Sequence, residues 1–180
     1  MKKLINSLLR NRKKEYSWKY IDKACKHIAS QWTLETPRVI GIARGGLIPA
    51  TLIAKYLKAG EVYSIGLKSY ADDSAFAERE HVPIIYQSID TCRELEGGYH
   101  STGGEQPILI VDDISDEGKT LQYISDKMKP GAANCFLPRL SPSLVICTAT
   151  IFIKQKTNFV PEIYYNMVPD DQWVVFPWEK

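Results

Sequence analysis

Two hydrophobic periodicities alternate along the first third of this chain. Between residues 15 and 32, apolar side chains recur every three or four positions and predict an amphipathic helix: Trp18, Ile21, Cys25, Ile28 and Trp32. A short apolar run at 38–43 predicts a buried strand, and a glycine turn, a helix at 47–57 and a strand at 61–67 follow. This order is a βαβ unit, which indicates a parallel sheet.

The second half of the chain continues the same alternation. The apolar run 107–113 predicts a buried strand, 119–128 a helix, and 144–152 another buried strand. Weaker strand patterns lie at 82–89 and 162–166. The pattern predicts an α/β fold, with a mainly parallel sheet flanked by helices on both faces. We expect residues 1–180 to form one domain, interrupted by a polar, glycine-rich excursion at 68–106.

Charge is distributed unevenly between the N-terminal segment and the rest. The chain of 180 residues has 23 basic and 21 acidic residues, and six of the basic ones lie in residues 1–14. The remainder therefore has 17 against 21, a net charge of −4, which argues against nucleic-acid binding. The basic segment could touch an anionic membrane or a partner, but we favour a solvated or subunit-docking segment.

Neither cysteine nor histidine predicts a metal or redox site. The four cysteines (Cys25, Cys92, Cys135 and Cys147) have no metal-ligand spacing, and no CxxC motif occurs. The three histidines are scattered along the chain. No apolar run reaches the length of a membrane span, and the N-terminus lacks a signal-peptide cleavage pattern. These features indicate reduced cysteines and a cytoplasmic location.

The most informative stretch is VDDISDEGKT at 111–120, which combines four acids with a Gly-Lys-Thr trio. A P-loop would need a glycine at position 113, where the chain has Asp113, and the dinucleotide motif GxGxxG is absent. What remains is a strand ending in two acids, a short loop and a helix start. Strand-end acids suit ribose hydroxyls or a hydrated magnesium ion, and N–H groups at a helix start bind phosphate.

A ribose 5-phosphate would use both halves of this stretch, with its diol on the acids and its phosphate on the loop. The alternative is an acidic turn that only caps the helix. We favour the ligand site because charge placed directly after the apolar run ILIV is costly unless it is used.

The stretch ILIVDDISDEGKT resembles the phosphoribosyl-pyrophosphate motif of the type I phosphoribosyltransferases. Four further blocks, in the same order, are similar to the xanthine-guanine and hypoxanthine branch: VIGIARGGLIPATLIAKYL, Ser69-Tyr70, TATIFIK and DDQWVVFPWE. The resemblance implies the fold of that family, with a small flexible hood at 68–106 and a base-binding part at 144–180. It also implies purine salvage: a 6-oxopurine (guanine, xanthine or hypoxanthine) and 5-phosphoribosyl 1-pyrophosphate give nucleoside 5′-monophosphate and pyrophosphate.

The resemblance implies a role for each acid of the motif. Asp112 and Asp113 would bind the ribose hydroxyls and Mg²⁺, and Asp116 would serve as general base or acceptor at purine N7. The 5′-phosphate would lie on the loop formed by Asp116, Glu117, Gly118, Lys119 and Thr120. Glu117 cannot donate to phosphate, so we expect its side chain to point away.

The other blocks supply the remaining contacts that the resemblance implies. A pyrophosphate loop would comprise Arg44, Gly45 and Gly46, with a cis peptide bond between Ala43 and Arg44. Ser69 and Tyr70 of the hood would reach the pyrophosphate. The purine would be held by Lys154 at its 6-oxo group, Trp173 on its face and the Val174 backbone near its 2-position, whereas Trp178 is interpreted as packing.

Several alternatives stay open at this stage. Lys154 could be a surface lysine at a strand end, and Trp173 a tryptophan of the core. Ala43 stands where the nearest branch has serine, and Val175 where it can have an acid, so the order of base preference is open. A phosphoribosyltransferase-fold regulator that binds nucleotide or RNA without catalysis is the alternative function, and an enzyme for orotate or adenine is a third. The family's habit implies a homodimer or tetramer.

Overall fold

The computed structural model describes residues 13–68, the backbone of 84–87, and residues 106–129 and 144–180. The predictions for most of the basic N-terminal segment and for Ser69 and Tyr70 of the hood lie outside these residues.

In chain order, the described strands and helices are β1 Lys13–Glu15, α1 Trp18–Ser30, β2 Arg38–Ala43, α2 Leu47–Leu57, β3 Val62–Lys68, β4 Ile84–Gln87, β5 Ile108–Ser115, α3 Lys119–Met128, β6 Ile146–Lys154, β7 Ile163–Val168, β8 Trp173–Val175 and the 3₁₀ turn Pro177–Glu179. A six-stranded sheet forms the centre of the described structure, in the order β4-β3-β2-β5-β6-β7, and only β4 is antiparallel. A separate pair of parallel strands joins β1 to β8.

The hydrophobic pattern predicted most of these elements. The bounds of β2, α2 and α3 agree with the prediction, and the weak patterns at 82–89 and 162–166 correspond to β4 and β7. Helix α1 begins later than predicted because the Ser17 side chain caps it, accepting a hydrogen bond from the Tyr20 N–H at 3.3 Å. Strand β1 was not predicted, since three exposed polar residues form it by pairing with β8.

Helices cover both faces of the sheet, as the pattern predicts. One buried cluster joins α1 and α2 to one face, through residues such as Ile28 and Ile53 against Leu109. A second cluster joins α3 to the other face, through Leu121 and Ile124. Alternate residues of β5 enter the two clusters, so β5 is buried on both sides, as expected for a parallel strand between helical layers. Among the described residues, no helix combines the length and apolar character needed to cross a bilayer.

An aromatic cluster around Phe152 of β6 ties the N-terminal helix to the C-terminal segment. The Phe152 ring is fully buried and lies 4.5 Å from Tyr16, 5.9 Å from Tyr20 and 5.8 Å from Phe176, measured between ring centroids. The segments that contain Tyr16 and Phe176 therefore meet beside the strand that carries Lys154, although they are far apart in sequence.

We predict that Phe152→Ala lowers the free energy of unfolding by about 3–5 kcal/mol, because it removes the aromatic ring at the centre of this cluster and leaves a cavity. Urea denaturation measures the change. Val160→Ala is the control: Val160 is 58% exposed, so its replacement should alter stability by no more than about 0.5 kcal/mol. Equal losses in the two variants would show that Phe152 does not hold the cluster together.

Candidate active site

Asp112 and Asp113 lie within β5, close to its carboxyl end, between the parallel strands β2 and β6. The strand continues to Ser115, two residues beyond the predicted end. The Asp113 N–H donates to Asp112 Oδ1 at 2.9 Å. Burial, followed by the neighbouring charge of Asp113, raises the pKa of Asp112 well above its ordinary value. Burial is also the main cause that raises the pKa of Asp113, to about 6. The two carboxyl groups form a site that would favour a bound cation or hydroxyl groups.

The loop after β2 lies directly against these two acids. A Cβ atom on Gly45 would stand 2.0 Å from Asp113 Oδ2, and one on Gly46 would stand 2.5 Å from the Val111 carbonyl oxygen. Neither position has room for a side chain, so glycine is required there for the close approach of the two backbones. The peptide bond between Ala43 and Arg44 is cis, as the family resemblance implies.

A cleft of about 560 Å³ opens where this loop faces β5 and the C-terminal turn. Its lining includes three predicted site residues, Arg44, Gly45 and Asp113, together with Ile48, Trp178 and Glu179. The prediction that Trp178 only packs was incomplete. Its ring does stack on Phe176, 4.5 Å away and tilted by 12°, but it also forms part of the cleft wall.

Glu179 is a cleft residue that the sequence analysis missed. The Glu179 carboxylate accepts a hydrogen bond from the Phe176 N–H at 2.9 Å, and its negative charge contributes to the raised pKa of Asp113. The only sequence signal was an acid beside a tryptophan near the chain end, which does not reveal that the 3₁₀ turn folds back towards β5.

The predicted phosphate loop follows β5 and leads into α3. Gly118 precedes the first turn of α3 with φ +84°, a left-handed conformation that favours glycine. Asp116 is exposed. The Glu117 carboxylate forms an ion pair with the Lys119 ammonium at 2.6 Å, and both side chains are more than half exposed. The fourth acid of the motif therefore has a partner on the surface.

Lys154 is the last residue of β6 and is almost fully buried. Its ammonium donates to the backbone carbonyls of Pro169 (3.3 Å), Asp170 (3.1 Å) and Gln172. The alternative of a surface lysine is therefore wrong. An ammonium has three N–H donors, so a purine oxygen would take the place of one of these carbonyls.

The predicted stacking residue directly follows this loop. The Trp173 side chain is 64% exposed, so it is not a residue of the core, whereas the Val174 side chain is buried. Lys154 and Trp173 are brought near each other through Gln172, but neither is among the residues that line the cleft at Arg44 and Asp113. Lys154, at the end of β6, thus lies at the same edge of the sheet as the acids of the neighbouring strand β5, whereas Trp173 and Val174 belong to β8 of the separate strand pair.

The donor set around Asp112 and Asp113 fits a magnesium ion shared with a ligand. No three His, Cys, Asp or Glu side chains within the described ranges are grouped closely enough to hold a metal by themselves. Magnesium usually binds through one or two carboxylates plus waters and substrate phosphates. Two adjacent carboxyl groups, each with a raised pKa, supply that number of protein ligands.

Comparison with known proteins gives the site a family context. Residues 16–179 match the model of the phosphoribosyl transferase domain. The xanthine-guanine phosphoribosyltransferase of Cereibacter sphaeroides is 30% identical over 141 residues, which cover 78% of this chain and 68% of that protein.

Solved structures show the same fold. A purine phosphoribosyltransferase from Pyrococcus horikoshii superimposes with a TM-score of 0.67 at 29% identity, covering 94% of this chain and 95% of that one. A hypothetical protein from Neisseria gonorrhoeae with bound ppGpp superimposes with a TM-score of 0.69 at 19% identity, covering 94% and 90%.

We predict that Asp113→Asn raises the free energy of unfolding at pH 8 by about 1–3 kcal/mol and has no such effect near pH 4. The pKa of Asp113 is higher in the folded than in the unfolded chain, so its ionisation destabilises the fold increasingly as the pH rises from about 4 through about 6. Thermal and urea unfolding across this pH range measure the difference.

Asp126→Asn is the matched control for the pH experiment. The Lys129 ammonium lowers the pKa of Asp126 on the exposed surface of α3, so its ionised form is stabilising above its ordinary pKa and this stabilisation is lost as the pH falls. Asp126→Asn should therefore give no gain at pH 8. A gain at pH 8 as large as that of Asp113→Asn would show that the effect is not specific to the β5 acids.

Proposed function

The chain belongs to the phosphoribosyltransferase family, and we propose that it is a purine salvage enzyme for 6-oxopurines. It transfers the ribosyl 5-phosphate group of 5-phosphoribosyl 1-pyrophosphate to guanine, xanthine or hypoxanthine, which gives the nucleoside 5′-monophosphate and pyrophosphate. The observation that carries the proposal is the contact between the Gly45–Gly46 backbone and the two acids of β5, next to the glycine-initiated helix α3.

The residues around this contact bind different parts of the sugar phosphate. Asp112 and Asp113 receive the ribose hydroxyls, and the backbone of residues 116–120, with the Thr120 hydroxyl, receives the 5′-phosphate. Arg44 lines the cleft beside Asp113 and supplies charge-assisted donors for the pyrophosphate. Each part of the ligand thereby meets a group of complementary charge.

The residues also suit the charge that develops during the reaction. The sugar carbon becomes positive as pyrophosphate leaves, and the acids of β5 lie where their negative charge stabilises that carbon. A magnesium ion held by Asp112 and Asp113 would supply positive charge to the departing pyrophosphate oxygens. Asp116, exposed at the start of the phosphate loop, accepts the proton or hydrogen bond of purine N7.

The purine is selected by residues at the end of β6 and in the segment that follows β7. Lys154 donates to the 6-oxo group after exchanging one of its backbone carbonyl partners. The exocyclic amino group of adenine would meet this ammonium donor to donor, which disfavours adenine. Trp173 offers an exposed aromatic face for stacking, with the Val174 backbone beside the 2-position. A cytoplasmic location and a homodimeric or tetrameric assembly belong to the same proposal.

We predict that purified protein with 5-phosphoribosyl 1-pyrophosphate and magnesium forms nucleotide from at least one of guanine, xanthine and hypoxanthine. Adenine should react at least about tenfold more slowly, because its amino group cannot accept from Lys154. Chromatographic separation of base and nucleotide measures each rate. If no base yields nucleotide although the sugar phosphate binds, the chain is a non-catalytic regulator, and adenine as the best substrate would contradict the role of Lys154.

We predict that Asp116→Asn lowers kcat by about 10²–10⁴-fold, the usual contribution of one positioned proton transfer. Binding of 5-phosphoribosyl 1-pyrophosphate should change little, since the loop backbone is retained. Asp126→Asn removes a carboxylate from the exposed surface of α3 and should leave kcat unchanged. Full kcat in Asp116→Asn would remove the proposed role of this residue.

A further inference from the structure

The segment that follows β6, residues 155–160, lies behind the loop that we assign to the 5′-phosphate. A Cβ atom on Gly118 would stand 2.5 Å from the Phe159 nitrogen and 2.9 Å from Thr157 Oγ1. The Asn158 N–H donates to the Glu117 carbonyl oxygen at 3.2 Å. The loop and this segment are therefore in direct backbone contact.

Two hydroxyl groups complete the connection from the end of β5. Ser115 Oγ, on a side chain that is 98% buried, lies 2.9 Å from Thr157 Oγ1 and donates to the Phe159 carbonyl oxygen at 2.9 Å. Thr157 Oγ1 also lies 3.1 Å from that carbonyl oxygen and 3.4 Å from the Phe159 nitrogen. The residue immediately before the phosphate loop is thus hydrogen-bonded to the segment on which Gly118 rests.

The same segment directly follows Lys154, the residue assigned to the purine. The Thr157 N–H donates to the Lys154 carbonyl oxygen at 3.2 Å, which closes a turn directly after β6. One short turn therefore separates the proposed purine contact from the residues that support the phosphate loop.

We propose that Thr157, together with Ser115, is a positioning residue that holds the backbone of residues 116–118 in the conformation that receives the 5′-phosphate. Neither hydroxyl has to touch the ligand. Ser115 is buried, and both hydroxyls already form hydrogen bonds with each other and with the Phe159 carbonyl oxygen. The inference rests on the proposed function, because it explains what holds the proposed phosphate loop in its conformation. It also accounts for the glycine at position 118, where a side chain would separate the loop from its support.

The role predicts an effect on the phosphate and not on the rest of the ligand. Thr157→Val removes the hydroxyl, leaves Ser115 Oγ with one partner fewer and keeps the volume of the side chain. We expect the affinity for guanosine 5′-monophosphate to fall about tenfold while the affinity for guanosine stays within about twofold. The KM for 5-phosphoribosyl 1-pyrophosphate should rise with little change in kcat. Tenfold corresponds to about 1.4 kcal/mol, within the range for the loss of one or two buried hydrogen bonds.

Isothermal titration of the two probes against wild type and four variants tests the proposal. Thr157→Ser retains the hydroxyl and should restore the wild-type ratio of affinities, and Ser115→Ala should lower the ratio as Thr157→Val does. Thr148→Val is the matched control, because the Thr148 hydroxyl donates to the Glu162 carboxylate at 2.7 Å near the start of β6, away from the proposed phosphate loop. It should lower the melting temperature without altering the ratio.

Two results would overturn the inference in different ways. If wild type prefers the monophosphate and Thr157→Val and Ser115→Ala show the same preference, the hydroxyls do not position the loop, and the proposed function stands. If wild type binds guanosine as tightly as its monophosphate, the phosphate loop itself is wrongly assigned, and the inference fails with it.

Discussion

The rest of this site depends on two carboxyl groups that β5 holds at the edge of the core, against Gly45 and Gly46 of the loop after β2. Asp112 and Asp113 are close to each other and partly removed from water, so both have raised pKa values. Ionised acids in such a position need a compensating partner. A sugar diol and a divalent cation are such partners, and Gly45 and Gly46 let the backbone of the neighbouring loop pack directly against the two acids.

The sheet brings this arrangement about by placing the carboxyl ends of parallel strands side by side. Strand β2 leads into the glycine loop, β5 leads into the proposed phosphate loop, and β6 ends at Lys154, before the segment that contacts Gly118. Ligand sites in open α/β sheets form at this edge because the loops after adjacent strands converge there. The three loops carry different chemical groups, which explains how one ligand can meet acid, arginine and backbone N–H groups within a short distance.

Some residues of the proposed site could be chosen from the sequence because the pattern that marks them lies among their neighbours along the chain. The paired acids after ILIV and the glycine before α3 belong to one continuous stretch, and the structure keeps that stretch intact from β5 to α3. Glu179 and the cleft-facing side of Trp178 were missed because their function arises only when the 3₁₀ turn folds against Arg44 and Asp113. Strand β1 was missed for a similar reason, since only pairing with β8 makes these exposed residues a strand.

The sequence alone determined the α/β class, the order of the main strands and helices, and the acidic motif, because periodicity and local spacing are properties of short segments. Only the tertiary structure decided the partners of Lys154, whose ammonium is enclosed by backbone carbonyls 15 to 18 residues farther along the chain. It also decided that Ser115 and Thr157, 42 residues apart, share a hydrogen bond behind the proposed phosphate loop. Burial and long-range hydrogen bonds depend on which segments pack together, and no local pattern contains that information.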